Sequence, residues 1–168
     1  MKKDALDNAW KIHDATGEWT ARVDAKAAFA FTVESAVLGV VVALTTTDKV
    51  YDGFDSWWST ALYVLGVFLI FISIYFAGSV VVPQLNIRGL EKASKDNYIF
   101  FGHTRFWEGR ADELAERLKS DDLLKQVSLQ IGIMGRIAWD KHIKVQRSMW
   151  FAMTGLVVFV VLGVLMNV

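Results

Sequence analysis

The chain has 168 residues, no cysteine and a formal net charge of zero, and it is 54% hydrophobic yet 21% charged. Its mean hydropathy of +0.32 is high for a soluble protein and fits membrane spans joined to a polar globular piece, while the length excludes two large domains. The absence of cysteine excludes a disulfide framework and a thiolate metal site.

Residues 1–26 are polar, and the long apolar run after them lacks a small-residue cleavage site, so the N-terminus does not read as a signal peptide. Within it, Ile12, Trp19 and Val23 recur at i, i+7 and i+11 with Trp10 close by, which predicts a helix over 5–26. Gly17 weakens it by about 1 kcal/mol relative to alanine. Two placements fit this N-terminal segment: on the inner leaflet as an interfacial helix, or packed on a cytosolic domain.

Apolar stretches follow at 27–46, 59–82 and 149–168, each of 20 residues or more, and Glu34 is the one charged side chain among them. A bilayer core of about 30 Å needs about 20 helical residues, so each is read as a transmembrane helix. Glu34 either lines an aqueous path or joins protomers, or the span begins a turn later and leaves it near the inner headgroups beside Lys26. Ala28, Ser35, Gly39 and Ala43 give span one a small-residue face, which predicts a homo-oligomer with span one inside and Gly39 at its contact. Tyr51, Trp57 and Trp58 mark an interface at the short loop 47–58, making 27–82 a transmembrane hairpin. Phe68, Phe71, Tyr75 and Phe76 suit span two to lipid, and Pro83 ends it.

The segment 83–148 is polar and is predicted to hold a small helical domain. A short helix is expected near 89–96, and a buried turn or short strand at Tyr98–His103. A helix is expected over 110–119, with Glu113 and Arg117 paired at i, i+4. Ser120 reads as an N-cap with Asp121 and Asp122 in the first turn after it. Leu124, Val127, Ile131, Met134, Ala138 and Val145 then follow a 3–4 spacing into the third span, which predicts one nearly continuous helix over 121–168. The fold class is therefore an all-α membrane protein: three transmembrane helices, a small helical cytosolic domain, and a long C-terminal helix continuing into the third span.

Basic residues orient the spans. Five Lys/Arg lie in residues 1–26, one in 47–58 against three Asp, and twelve in 83–148. The expected topology has the N-terminus and 83–148 in the cytoplasm, with the C-terminus outside.

No phosphate loop and no HExxH motif occur, and His13, His103 and His142 lack metal-ligand spacing, so neither enzymatic activity nor a cofactor is expected. Arg88 and Arg105 flank a stretch that also holds Asn86, Tyr98, His103 and Trp107. Arginine donors with aromatic neighbours can hold a phosphate and a base. Lys141 is a plausible second contact, and nucleic acid is not an expected partner.

Three motifs resemble the transmembrane effector family of Pycsar anti-phage systems. They are Val23-Asp24-Ala25-Lys26-Ala27; Phe100-Phe101-Gly102; and Asp122-Leu123-Leu124 through Gln130-Ile131 to Asp140-Lys141. His142 departs from the pattern, where an aromatic is expected after the lysine. The resemblance implies a membrane effector that senses a cyclic pyrimidine mononucleotide, cyclic CMP or cyclic UMP. It then assembles or rearranges and impairs the inner membrane to arrest growth. The competing expectation is a small membrane scaffold or accessory subunit that binds a protein partner through 84–148.

Overall fold

The computed structural model describes residues 2–46, 56–82, 94, 97–120 and 122–166. Among them the order is α1 (Lys2–Thr46), α2 (Trp57–Val81), α3 (Phe101–Thr104), a 3-10 turn (Arg105–Trp107), α4 (Ala111–Ser120) and α5 (Leu123–Met166), with no strand. Three of these helices, α1, α2 and α5, are long and apolar enough to cross a membrane. The all-α, three-span architecture expected from hydropathy is the one found.

The helix expected over 5–26 and the first span are one continuous 45-residue helix. No proline interrupts it, and the cost of a single glycine is small against the hydrogen bonds of an unbroken ladder. Thr16, Thr20, Thr32 and Ser35 return their hydroxyls to the carbonyls four residues back, so they fit the helix without competing for its amides. Ile12 and Trp19 are exposed and Ala9 is buried, so of the stripe read from spacing only Val23 packs, against the Ala27, Val80 and Val145 cluster.

The chain divides into two compact units, one of residues 1–21 and 83–139, the other of 22–82 and 140–168. These divisions fall within α1 and α5 and not at residues 26 and 148, because neither helix breaks where the hydropathy changes.

The second unit packs parts of α1, α2 and α5 around two apolar clusters. One holds Val41, Ile70, Phe159 and Leu162, and the other Ala27, Val80 and Val145. Between apolar helices in lipid no hydrophobic effect drives association, so close fit matters most. A Cβ on Gly66 would stand 2.8 Å from the Phe159 ring, and one on Gly155 would stand 3.0 Å from Ile70 Cδ1. These two glycines are therefore where the helices close up. Phe68, Phe71 and Tyr75 are exposed on α2, and Phe76 stacks on Phe151 at 5.8 Å. Thr45 Oγ1 and the Tyr63 hydroxyl are hydrogen-bonded at 3.0 Å, a polar link between α1 and α2.

The first unit buries Val127 of α5, with Leu124, Ile131, Met134 and Ala138 partly covered beside it, as the 3–4 spacing requires. The helix expected near 89–96 lies outside the described residues, Ser94 excepted. Residues 98–103 form a turn leading into α3, not a strand. The Asn97 side chain accepts the Ile99 N–H at 3.1 Å, and the amides of His103 and Thr104 both donate to the Phe100 carbonyl. The Phe100 ring folds across Gly102, where any Cβ would collide with it. That close approach explains the Phe-Phe-Gly triplet.

One local expectation is corrected. Ser120 is the last residue of α4, its hydroxyl returning to the Arg117 carbonyl at 3.4 Å. Asp122 precedes α5 instead, its carbonyl accepting the Gln126 N–H at 3.2 Å. The carboxylate of Glu113 is hydrogen-bonded by Arg110, and Arg117, four residues on, adds a favourable charge while its guanidinium lies 5.5 Å from the Trp107 ring.

Candidate functional site

In the first unit, the short elements from Asn97 to Trp107 gather most of the described candidates. Tyr98, His103 and Trp107 are all buried, at 4%, 7% and 6% exposure. His103 meets Phe100 edge-on at 5.3 Å, a contact that holds the imidazole without using its nitrogens. Its Nδ1 and the Trp107 Nε1 are both buried, without a hydrogen-bond partner among the described residues. Such groups are normally satisfied, and leaving one bare costs about 1–3 kcal/mol, so two within five residues call for a physical reason.

Arg105 is exposed, its guanidinium 4.7 Å from the Phe106 ring, and it makes no ion pair with a described residue. It lies in the same short stretch as the two buried nitrogens, two residues from each ring in sequence. The structure brings two further cations to this stretch that sequence reading had not placed at the site: Arg110 and Arg117 lie 4.8 and 5.5 Å from the Trp107 ring. Their spacing from Trp107 is local, i+3 across a turn and i+10 on a short helix, and no periodicity marks it. Gly109, at φ +74°, makes the turn that brings Arg110 back over the indole. Arg110 also donates to Glu113, through Nε at 2.9 Å and Nη2 at 2.6 Å. Those hydrogen bonds hold the Glu113 carboxyl below its ordinary range, aided by the charges of Arg110 and Arg117.

Asn97 joins this stretch to α5. Its amide donates to Gln130 Oε1 at 3.2 Å, and both side chains are buried. Gln130 belongs to the Gln-Ile pair of the motif noted above, so that position has a structural partner.

Asn86 and Arg88 lie outside the described residues. Lys141 is in the second unit, where its ammonium donates to both carboxylate oxygens of Asp24 at 2.7 and 2.8 Å. The first motif's aspartate and the last motif's lysine are therefore an ion pair, and Lys141 is engaged there. Glu34 is also in the second unit, 4% exposed, its Oε1 accepting from Ser148 Oγ at 2.6 Å. Gly39 is exposed, with nothing within 4 Å of where a Cβ would stand, so its face is open in the single chain. Among the described residues no three His, Cys, Asp or Glu side chains come together as a metal site.

Three long apolar helices, together with a polar unit of short helices that shelters aromatic and cationic side chains, define a helical membrane protein with a non-spanning domain. The sequence matches the family described as the Pycsar effector protein domain over residues 8–167. The chain belongs to that family and is a membrane effector of anti-phage defence. No curated protein and no solved structure matches it.

Proposed function

We propose that the protein is a non-enzymatic effector switched on by a cyclic pyrimidine mononucleotide bound at the Asn97–Trp107 stretch. The observation that carries this reading is the pair of buried ring nitrogens of His103 and Trp107, unpartnered among the described residues, in one short stretch with the exposed guanidinium of Arg105. An indole N–H donates, an imidazole donates or accepts, and an arginine pairs with a phosphodiester anion. A compact, singly charged nucleotide carries a complement to each. Membership of the effector family supports cyclic pyrimidine signalling as the source of that ligand.

In this reading the N-terminus and the polar unit lie in the cytoplasm, the C-terminus lies outside the inner membrane, and copies of the chain assemble to impair the bilayer. The basic residues flanking the spans support the orientation. Reporter fusions at Asp52 and Val168 should read periplasmic, and one at Asp121 cytoplasmic.

The test is calorimetric titration of the detergent-solubilised protein with cyclic CMP and cyclic UMP. Wild type is expected to bind one of them. Arg105→Ala should weaken binding on the order of 10- to 100-fold, as loss of a charge-assisted phosphate contact does. Arg88→Ala, tested in parallel, reports whether the cation before the stretch also contributes. If both variants bind as wild type does, the site lies elsewhere. A wild type that binds neither nucleotide favours a scaffold, a reading that the exposed Leu129, Ile133 and Ile137, one turn apart on α5, would then support as a partner surface.

A further inference from the structure

Glu34 stands midway along the packed seam of α1. Ala27, Glu34 and Val41 follow at seven-residue intervals and all three are buried. Ala27 belongs to one apolar cluster of the second unit and Val41 to the other. The same two clusters bracket Ser73 on α2, between Ile70 and Val80, and Ser148 on α5, between Val145 and Phe159. Each helix of the unit thus contributes one buried polar side chain to the level between two apolar layers.

That level is under-satisfied. Ser148 Oγ donates to Glu34 Oε1 at 2.6 Å, but among the described residues Glu34 Oε2 and Ser73 Oγ have no hydrogen-bond partner and Glu34 makes no ion pair. Lys141 is held by Asp24, and Arg147 rests 5.9 Å from the Phe76 ring. A carboxyl inside a membrane helix costs several kcal/mol unless it is paired or wetted, and one serine hydroxyl does not offset that.

The geometry points to a site for a monovalent metal cation at this level, with Glu34 as its charge and the hydroxyls of Ser148 and Ser73 as neutral ligands. All the donors are hard oxygens, the preference of alkali and alkaline-earth ions and not of softer metals. One carboxylate balances one positive charge. A divalent ion would leave a net charge between apolar layers, which is the cost the site must avoid. A proton on Oε2 would neutralise Glu34 but would itself be a donor needing an acceptor. A metal ion can engage Oε2 and the Ser73 oxygen at once, its remaining shell filled by water.

The proposal is independent of the nucleotide reading and is tested on the full chain in detergent. Thermal unfolding is followed at fixed pH and ionic strength in choline, sodium, potassium or calcium chloride. Sodium or potassium is expected to raise the midpoint by about 3 °C over choline, as a ligand held by the folded state alone does at about ten times its dissociation constant. Glu34→Gln should show the same midpoint in choline and in the alkali salts. Equal wild-type midpoints in choline and alkali salts overturn the site, whether or not the variant folds. A Glu34→Gln protein that keeps the alkali-dependent rise also overturns it, and a rise in calcium equal to that in sodium overturns the monovalent assignment.

Discussion

The two units hide polar atoms in opposite surroundings. In the second, Glu34, Ser73 and Ser148 sit between layers of aliphatic side chains, and the helices close on one another at Gly66 and Gly155. In the first, His103 is buried against the Phe100 ring and Trp107 against guanidinium groups, and the buried Asn97 and Gln130 bond each other, while α4 is a charged helix whose ends obey the rules of water. Asp112 and Glu113 lie in the first turn of α4 and Arg117 and Lys119 in its last, each end matching the helix dipole. The difference shows what each unit relies on. Where lipid surrounds the helices, fit and a few polar links decide the packing. Where water surrounds them, charge placement and turn chemistry decide it.

The largest effect expected from breaking that contrast comes from Gly66→Leu. The added side chain meets the Phe159 ring and should destabilise the protein by about 3 kcal/mol, with amide exchange rising along 57–81 and 140–166. Phe159→Ala in the same chain should recover part of the loss. A double variant as unstable as the sum of the two singles would show that this contact does not limit the packing.

The Asp24–Lys141 pair is partly sheltered, with side-chain exposures of 42% and 26%. A double-mutant cycle with Asp24→Asn and Lys141→Met should return a coupling of about 1–2 kcal/mol, above that of an ordinary surface pair. A coupling near zero would make the pair incidental.

Gly39→Leu should cost the isolated chain less than about 0.5 kcal/mol, since open space surrounds the position. On native gels in mild detergent it should nonetheless weaken assembly. A loss of chain stability comparable to that of Gly66→Leu would contradict the open face.

The smallest effect belongs to Glu113. Arg110 lowers its carboxyl in the folded state, so the stabilisation is present above the unfolded-state value and is lost as pH falls through the folded one. Wild type should be slightly more stable than Glu113→Gln near neutrality, and the two should converge on acidification in a pH series of unfolding curves.

Most of the architecture was legible because spans announce themselves by length and hydropathy. The inward face of α5 was legible too, from Leu124 through Ala138, because a packed helix repeats its apolar residues every 3–4 positions. The N-terminal half of α1 was harder to read. Its exposed Trp19 and Ile12 extend the stripe beyond Val23, which packs, while the small Ala9 is buried off that stripe. Turn chemistry misled at Ser120, because a serine that caps a helix and one that closes the helix before it look alike in sequence. Of the candidate site, His103, Tyr98 and Trp107 stood out as unusual residues in a short stretch. Arg110 and Arg117 did not, since their approach to Trp107 depends on the left-handed turn at Gly109. Lys141 looked like a free cation because its partner lies 117 residues earlier. Glu34 was conspicuous, but only the fold shows which serine reaches it.

Trp107 is one of seven tryptophans and is 6% exposed, whereas Trp10, Trp19, Trp57, Trp58, Trp139 and Trp150 all exceed a third. The chain therefore carries its own optical reporter. The indole sheltered by the protein should emit at shorter wavelength than it would in water, dimmed by the nearby guanidinium groups and resistant to aqueous quenchers. An anion drawing Arg110 or Arg117 away from that ring would brighten it, so occupancy of the polar unit could be followed by fluorescence without any label.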